Sequence, residues 1–240
     1  MITPKQAYEL EGRLEGELLF VVAPGPTAKS VQEDPSALDG QKVLALNSSI
    51  EFLPDPTWWM YADKRFSQIY ARELHTDWPK AVIMLATQAR KHQRIYKGEL
   101  FVYDYQLSFR ELKKQRRGVE LNGNPFWYWP ERSFLPGRCS VFSNAMSLAL
   151  IMKPRAIVLV GVDFEESGPD YYVSSVTRNK GPTQRRRALD SGANWFSKNY
   201  GKGVWPGLPP IVSTNPRLGS RIPEVPVRHL TLEEACGGAI

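Results

Sequence analysis

The chain has 240 residues, of which 42% are hydrophobic and 23% are charged, and this ordinary globular composition excludes an intrinsically disordered protein. Its 31 lysines and arginines outnumber its 25 acidic residues, which favours an anionic partner such as a nucleotide, a nucleic acid or an acidic glycan. The two cysteines form no ligand spacing, which excludes a disulfide framework, and the apolar runs are too short to span a bilayer. We therefore expect a cytoplasmic protein without a membrane span.

Continuous apolar runs without alternation predict a mostly parallel sheet, because such strands are covered by helices on both faces. The predicted strands, in chain order, are 18–22, 43–46, 58–62, 81–86, 100–103, 156–160 and 210–213. The predicted helices are 64–75, 108–117, 144–152, 183–199 and a short one that begins with the Thr231 to Glu234 capping box. This alternation predicts a doubly wound, Rossmann-like α/β fold in one domain over residues 1–240, with a lid at 164–190.

Small polar groups follow several of these strands, at the edge where doubly wound folds bind ligands. They are Gly25-Pro26-Thr27 after the first strand, Asn47 after the second, Ser143-Asn144 at the buried helix and Asp163 after the strand at 156–160. Plain structural interpretations are open for each, such as a rigid turn at 25–27 and N-caps at 143–144. Together they favour a nucleotide site, since glycine admits a close backbone approach and free N–H groups at a helix start attract phosphate.

In this order the motifs resemble the superfamily that joins bacterial family-42 sialyltransferases with the MptE-like (DUF115) proteins. The latter include archaeal 6-hydroxymethylpterin pyrophosphokinases and flagellin-glycosylation factors. The likeness rests on the four groups above, on Gly-Val-Asp-Phe at 161–164 and on the closing segments 211–216 and 220–223, and covers roughly residues 18–235. It implies a sialyltransferase-like variant of the Rossmann-like fold and an activity that uses a nucleotide.

The resemblance also implies roles for particular residues. The loop 25–27 and Asn47 correspond to nucleotide contacts, and Ser143-Asn144 corresponds to the phosphate or donor side of the pocket. Tyrosines just beyond the Gly-Ile-Asp-Phe motif hold the departing phosphate in the sialyltransferases, which assigns that role to Tyr171 and Tyr172.

Two departures from the family bear on the reaction. Pro24 stands where the family has a base-contacting asparagine, so the base of the nucleotide stays open. The sialyltransferase general base is a histidine downstream of the shared motif, but here the only histidine in that region is His229, near the end of the chain. The remaining candidates for a base that takes the proton of an acceptor hydroxyl are Asp163, Asp170 and His92.

A cationic run at 178–187 follows the two tyrosines. Its residues Arg178, Arg185 and Arg186 are candidates for bidentate contact with the departing phosphate from within the lid. A solvated charged face is the alternative.

Four consecutive aromatic residues stand between prolines at 126–129. Trp127, Tyr128 and Trp129 are candidates for a stacking wall against the acceptor, and a hydrophobic core segment is the alternative. Aromatic and cationic residues together also favour contact with nucleic acid bases, so a modified DNA base is a possible acceptor.

The sequence therefore predicts a nucleotide-dependent transferase, and foremost a glycosyltransferase that uses a CMP- or UDP-linked sugar and a glycan or nucleic acid acceptor. The first alternative is an MptE-like pyrophosphokinase that uses ATP and Mg²⁺ on a pterin-like alcohol, with Asp63 and Asp163 near the metal. The absence of an Asp-x-Asp pair near the donor loops argues against a metal-dependent glycosyltransferase. A catalytically degenerate protein that only binds nucleotide or nucleic acid is the second alternative.

Overall fold

The structure, a computed structural model, describes most of the predicted sheet and its covering helices. The described residues are 3–62, 64–70, 81–85, 89, 96, 98–103, 141–164, 189–190, 192–194, 196–197, 200 and 208–240. The predicted helix at 108–117 and the interior of the predicted lid, 165–188, lie outside them.

Nine described strands form one sheet in which every neighbouring pair is parallel, and this confirms the predicted α/β, Rossmann-like fold. In chain order the strands are β1 (Lys5–Gln6), β2 (Leu18–Val22), β3 (Lys42–Leu46), β4 (Trp58–Met60), β5 (Ala81–Leu85), β6 (Glu99–Tyr103), β7 (Ala156–Val160), β8 (Ile211–Ser213) and β9 (Val227–His229). Their order across the sheet is β1-β6-β5-β4-β3-β2-β7-β8-β9.

The direction in which strands are added reverses between β2 and β7. Strands β3 to β6 follow one another on one side of β2, whereas β7 to β9 follow one another on the other side. The two strands at the reversal are paired along their whole length, from Leu18 opposite Ala156 to Val22 opposite Val160. In doubly wound sheets, the loops after such a pair border the crevice that holds the ligand.

Two hydrophobic cores cover the two faces of the sheet. Alternate residues of β2 divide between them, with Leu19 and Val21 in one core and Phe20 and Val22 in the other. The described α-helices are α1 (Lys29–Glu33), α2 (Lys64–Ile69), α3 (Val141–Met152), α4 (Leu218–Arg221) and α5 (Leu232–Cys236). The described residues between 189 and 200 are also helical, as predicted for part of the segment 183–199.

Helix α3 is the predicted buried helix, and eleven of its residues are buried. Its apolar residues occupy all sides, so it is stable only when surrounded by other elements. Its last carbonyl groups accept hydrogen bonds from an N-terminal loop, with Gly12 N 3.0 Å from Ile151 O and Leu14 N 2.9 Å from Met152 O. This loop therefore caps the carboxyl end of the helix.

Some boundaries differ from the prediction. Strand β4 ends at Met60 rather than at 62, and α3 begins at Val141 rather than at Asn144. Strands β1 and β9 were not predicted, because two or three residues are too few to form a hydrophobic pattern. Four short 3₁₀ helices were also missed, namely Ala7–Leu10, Pro26–Ala28, Pro35–Leu38 and Asn47–Glu51.

The predicted capping box at the start of α5 is confirmed. Glu234 N donates to Thr231 Oγ1 at 3.2 Å, and Thr231 N donates to Glu234 Oε2 at 2.8 Å. These bonds lower the pKa of the Glu234 carboxyl. No helix in the described part of the chain is long and apolar enough to cross a membrane.

Candidate functional site

The loops that follow β2 and β7 cross in direct backbone contact at the winding reversal. Gly25 N donates to Gly161 O at 3.0 Å, continuing the sheet ladder beyond Ala23 N, which donates to Val160 O at 2.8 Å. A Cβ on Gly25 would stand 2.2 Å from Gly161 O, and a Cβ on Gly161 would stand 2.0 Å from Ala23 O. Gly161 also has a left-handed φ of +68°. The crossing therefore requires glycine at both positions.

Asp163, which the sequence placed at this edge, joins the loops of three adjacent strands. Its Oδ1 accepts hydrogen bonds from Thr27 Oγ1 at 2.5 Å and from Asn215 Nδ2 at 2.7 Å. Its Oδ2 accepts from Thr27 N at 3.0 Å. The carboxylate is buried, at 6% exposure, so these bonds replace the water that would otherwise solvate its charge.

The residue after Asp163 anchors the turn. Phe164 has a left-handed φ of +52°, a conformation that costs a non-glycine residue about 1–2 kcal/mol. Its ring is buried and meets Phe142 edge-on, with 5.2 Å between ring centroids, and it also contacts Phe196. This aromatic packing offsets the backbone strain and holds the position of Asp163.

The loop after β3 presents Asn47 beside this crossing. Asn47 has a left-handed φ of +52°, and its carbonyl accepts a hydrogen bond from Trp59 Nε1 at 2.8 Å. Ser49 Oγ accepts from Leu46 N at 2.8 Å and lies 2.9 Å from Val22 O, which ties the loop to the end of β2. The half-buried side chain of Asn47 makes no hydrogen bond to the described residues.

Ser143 and Asn144 lie inside the first turn of α3, so the N-cap interpretation of these residues was wrong. Both are buried, and Asn144 Nδ2 donates to Tyr103 OH, 3.3 Å away at the end of β6. The amino end of this helix faces the carboxyl edge of the sheet, because α3 connects β6 to the beginning of β7. Its helix dipole therefore favours negative charge at this edge.

Two buried side-chain atoms in the described part of the chain lack a hydrogen-bond partner, Ser48 Oγ and Asn144 Oδ1. Both belong to residues at the carboxyl edge, Ser48 after β3 and Asn144 at the start of α3. An unpaired buried polar atom costs about 1–3 kcal/mol, and in the described part of the chain both such side-chain atoms belong to residues at this edge.

Phenol groups also lie at this edge. Burial raises the pKa of Tyr61, and the neighbouring phenols of Tyr103 and Tyr96 raise it further. Tyr61 directly follows β4, and Tyr103 ends β6. Because the Tyr61 hydroxyl stays protonated at neutral pH, it is a hydrogen-bond donor and not a base, and it donates to Met84 Sδ at 3.8 Å in the core.

An open cleft of about 590 Å³ lies at the opposite, amino edge of the sheet, around the beginnings of β3 and β4. Its lining includes Asp39, Asp55 and Thr57. Thr57 Oγ1 accepts a hydrogen bond from Val43 N at 3.0 Å, so this lining residue is already paired. The unpaired buried atoms lie at the carboxyl edge, and on that ground we assign the candidate site there.

The structure brings Gly25, Pro26, Thr27 and Asp163 together and places Asn47, Ser143 and Asn144 at the same edge. Ten other predicted site residues lie outside the described residues, namely His92, Trp127, Tyr128, Trp129, Asp170, Tyr171, Tyr172, Arg178, Arg185 and Arg186. The sequence prediction assigned no site role to Ser48 or Asn215, although each lies two residues beyond the end of a predicted strand and the same criterion would have included both.

Within the described residues, no group of three or more His, Cys, Asp or Glu side chains is arranged to hold a metal ion. Asp63, one of the two carboxylates considered for Mg²⁺, is not described, and the oxygens of the other, Asp163, accept the hydrogen bonds from Thr27 and Asn215.

Comparison of the chain with models of known protein families found no match, and comparison with curated proteins found none either.

Proposed function

We propose that the protein is a nucleotide-dependent transferase that moves a sugar from a CMP- or UDP-linked donor to a hydroxyl group of a glycan or a nucleic acid. The observation that carries this proposal is the position of the two unpaired buried atoms, Ser48 Oγ and Asn144 Oδ1, at the carboxyl edge of a doubly wound sheet. Ribose hydroxyls and the amino or imino groups of a pyrimidine offer the donors that these oxygens lack.

The amino end of α3 supports the same proposal, because its helix dipole favours negative charge at the same edge. In this proposal the phosphates lie near the amino end of α3, while Asn47 turns its unpaired amide to the ribose or the base.

The reaction transfers the anomeric carbon of the sugar. A bond forms from the acceptor oxygen to that carbon, the bond from the carbon to the phosphate oxygen breaks, and a base takes the acceptor proton. Tyr171, Tyr172 and the arginines of the run 178–187 stay the predicted partners of the departing phosphate. Asp170 and His92 stay candidates for the base, and Trp127, Tyr128 and Trp129 stay the predicted acceptor wall.

The test measures the thermal midpoint with CMP, UDP, GDP, AMP and ATP, each with and without Mg²⁺. A ligand at 100 times its Kd stabilises the fold by about 2.7 kcal/mol, which raises the midpoint of a chain of this size by roughly 5–10 °C. A shift with CMP or UDP supports the proposal. A shift of the midpoint with ATP that requires Mg²⁺ favours the pyrophosphokinase over the glycosyltransferase. If none of the five nucleotides shifts the midpoint, the proposal of nucleotide binding is overturned.

Asn47→Gly is the sharpest variant, because glycine keeps the left-handed backbone at this position while it removes the amide. We expect unchanged or slightly increased stability together with at least a tenfold loss of affinity for the pyrimidine nucleotide. Lys153→Gly is the matched control, since Lys153 also has a left-handed φ, of +54°, but follows α3 at the opposite edge of the sheet. Equal loss of affinity in both variants contradicts the assigned site.

A further inference from the structure

The carboxylate of Asp163 connects two loops that are far apart in the chain. Thr27 follows β2 and Asn215 follows β8, and both donate to Asp163, which follows β7 between them. Asp163 is 6% exposed and Asn215 is 5% exposed, so water competes little for these bonds. We name this set of three residues the carboxylate latch.

The orientation of the Asn215 amide follows from its two neighbours. Arg217 N donates to Asn215 Oδ1 at 2.8 Å. Because a backbone N–H can only donate, the amide atom that it meets must be the oxygen. The carboxylate of Asp163 requires a donor, which only the nitrogen of the amide supplies. One amide orientation satisfies both, so Asn215 directs Nδ2 at Asp163 in a defined geometry.

The backbone of Asn215 is held as well. Its N–H donates to Ser213 Oγ at 3.0 Å, and Ser213 is fully buried within β8. The amide therefore stands on the rigid end of a strand and not on a free loop. A side chain fixed in this way transmits the position of β8 to the groups that it contacts.

The latch occupies most of the hydrogen-bonding capacity of the carboxylate. A carboxylate offers about four acceptor positions, and Thr27 and Asn215 fill three of those of Asp163. Both oxygens are thus engaged in holding loops, and the geometry fits a residue that positions the Gly25 to Thr27 loop better than one that takes a proton from an acceptor.

We propose that Asn215 is a positioning residue for the nucleotide site, acting through Asp163 on the loop of residues 25–27. This inference rests on the proposed function, because it concerns the site at which the nucleotide would bind. The affinity for nucleotide then depends on a side chain that does not touch the nucleotide.

The experiment exchanges the two groups. Asp163→Asn leaves one side-chain oxygen, whereas Thr27 and Asn215 both donate to residue 163 and require an acceptor on each side. Asn215→Asp places a second carboxylate next to that of Asp163. In the double variant, the amide nitrogen at 163 takes the place of Oδ1 and donates to the new carboxylate at 215 and to Thr27 Oγ1. The amide oxygen at 163 accepts from Thr27 N, and the carboxylate at 215 still accepts from Arg217 N. The probe is CMP or UDP, whichever stabilises the unsubstituted protein more, and the readouts are its Kd and the urea unfolding midpoint.

We expect each single variant to bind this nucleotide about tenfold more weakly and the double variant to return to within about threefold of the unsubstituted protein. Val212→Ala is the control, because it removes buried volume from the same strand without touching the latch. It lowers the unfolding midpoint and leaves the Kd unchanged.

Three outcomes overturn the inference in distinguishable ways. A double variant as weak as the weaker single variant shows that the pair does not act through its hydrogen bond. Single variants that lose stability but keep the Kd show that the latch only stabilises the fold. If the unsubstituted protein binds no nucleotide, the proposed function fails together with this role. The double variant can then recover only the urea unfolding midpoint that the single variants lose.

Discussion

The crossing of the loops at Gly25 and Gly161 leaves no room for a side chain, which makes Gly161→Ala a stringent test of the site geometry. The new Cβ would stand 2.0 Å from Ala23 O and 2.8 Å from Ala28 Cβ, so backbone must move to admit it. Since the same crossing brings Asp163 against Thr27, the displacement also strains the carboxylate latch.

The expected cost has two separable parts. Alanine at a left-handed φ costs about 1–2 kcal/mol, and overpacking against backbone costs about 1–3 kcal/mol, so Gly161→Ala destabilises the fold by about 2–5 kcal/mol. Gly25 has φ −82°, so Gly25→Ala carries only the overpacking part. Gly40 has φ +76° with nothing within 4 Å of its Cβ position, so Gly40→Ala carries only the backbone part.

Gly219→Ala completes the set as the neutral control. A Cβ there meets nothing within 4 Å, and the residue lies in helix α4, where alanine is favoured over glycine by about 0.5–1 kcal/mol. The lower entropy of the unfolded chain that every glycine replacement brings is shared by all four variants, so it cancels when the losses at Gly25, Gly40 and Gly161 are each taken relative to Gly219→Ala.

Urea unfolding followed by circular dichroism gives the free energy of unfolding of each variant by linear extrapolation. We expect the loss at Gly161 to approximate the sum of the losses at Gly25 and Gly40, with a fall in the thermal midpoint on the order of 10 °C. If Gly161→Ala is as stable as Gly219→Ala, the loops do not cross as described and the candidate site loses its geometric basis.

Two further predictions concern the hydrogen bond between Trp59 and Asn47 and the dependence of the free energy of unfolding on acidic pH. Trp59→Phe removes the Nε1 donor of the Asn47 carbonyl and should cost about 1–3 kcal/mol of unfolding free energy and weaken nucleotide binding; Trp58→Phe, on the other face of the sheet, is the control. The folded-state pKa of Glu234 lies below its usual 4.5, so its contribution to stability is present above that pH and is lost as the pH falls through the folded value. Glu234→Gln should therefore differ from the unsubstituted protein at pH 6 and converge with it in thermal unfolding as the pH falls below the folded-state pKa.

Each of these has an outcome that contradicts it. Equal losses in Trp59→Phe and Trp58→Phe would mean that removed volume, and not the hydrogen bond to Asn47, determines the effect. A difference between Glu234→Gln and the unsubstituted protein that grows on acidification would reverse the direction assigned to the Glu234 pKa.

The strands of the central sheet were predictable because each is a continuous apolar run with its own local signal. Leu18–Val22 and Ala156–Val160 have the predicted bounds, and both are buried on two faces as such runs require. The short edge strands β1 and β9 were not predictable, because Lys5–Gln6 and Val227–His229 are partly polar and gain their structure from a neighbouring strand. The hydrophobic pattern of the sequence does not reveal a strand whose stability comes from hydrogen bonding to a neighbouring strand.

The sequence alone showed that a carboxylate, Asp163, follows a predicted buried strand at the carboxyl edge of the sheet. The hydrogen-bond partners of its oxygens are known only from the fold, because Thr27 is 136 residues away in the chain and Asn215 is 52 residues away. The strand order β2-β7-β8 brings the three together, and a spacing pattern along the chain contains no information about that order. The same holds for Ser48 and Asn144, whose missing partners become visible only once packing has excluded water.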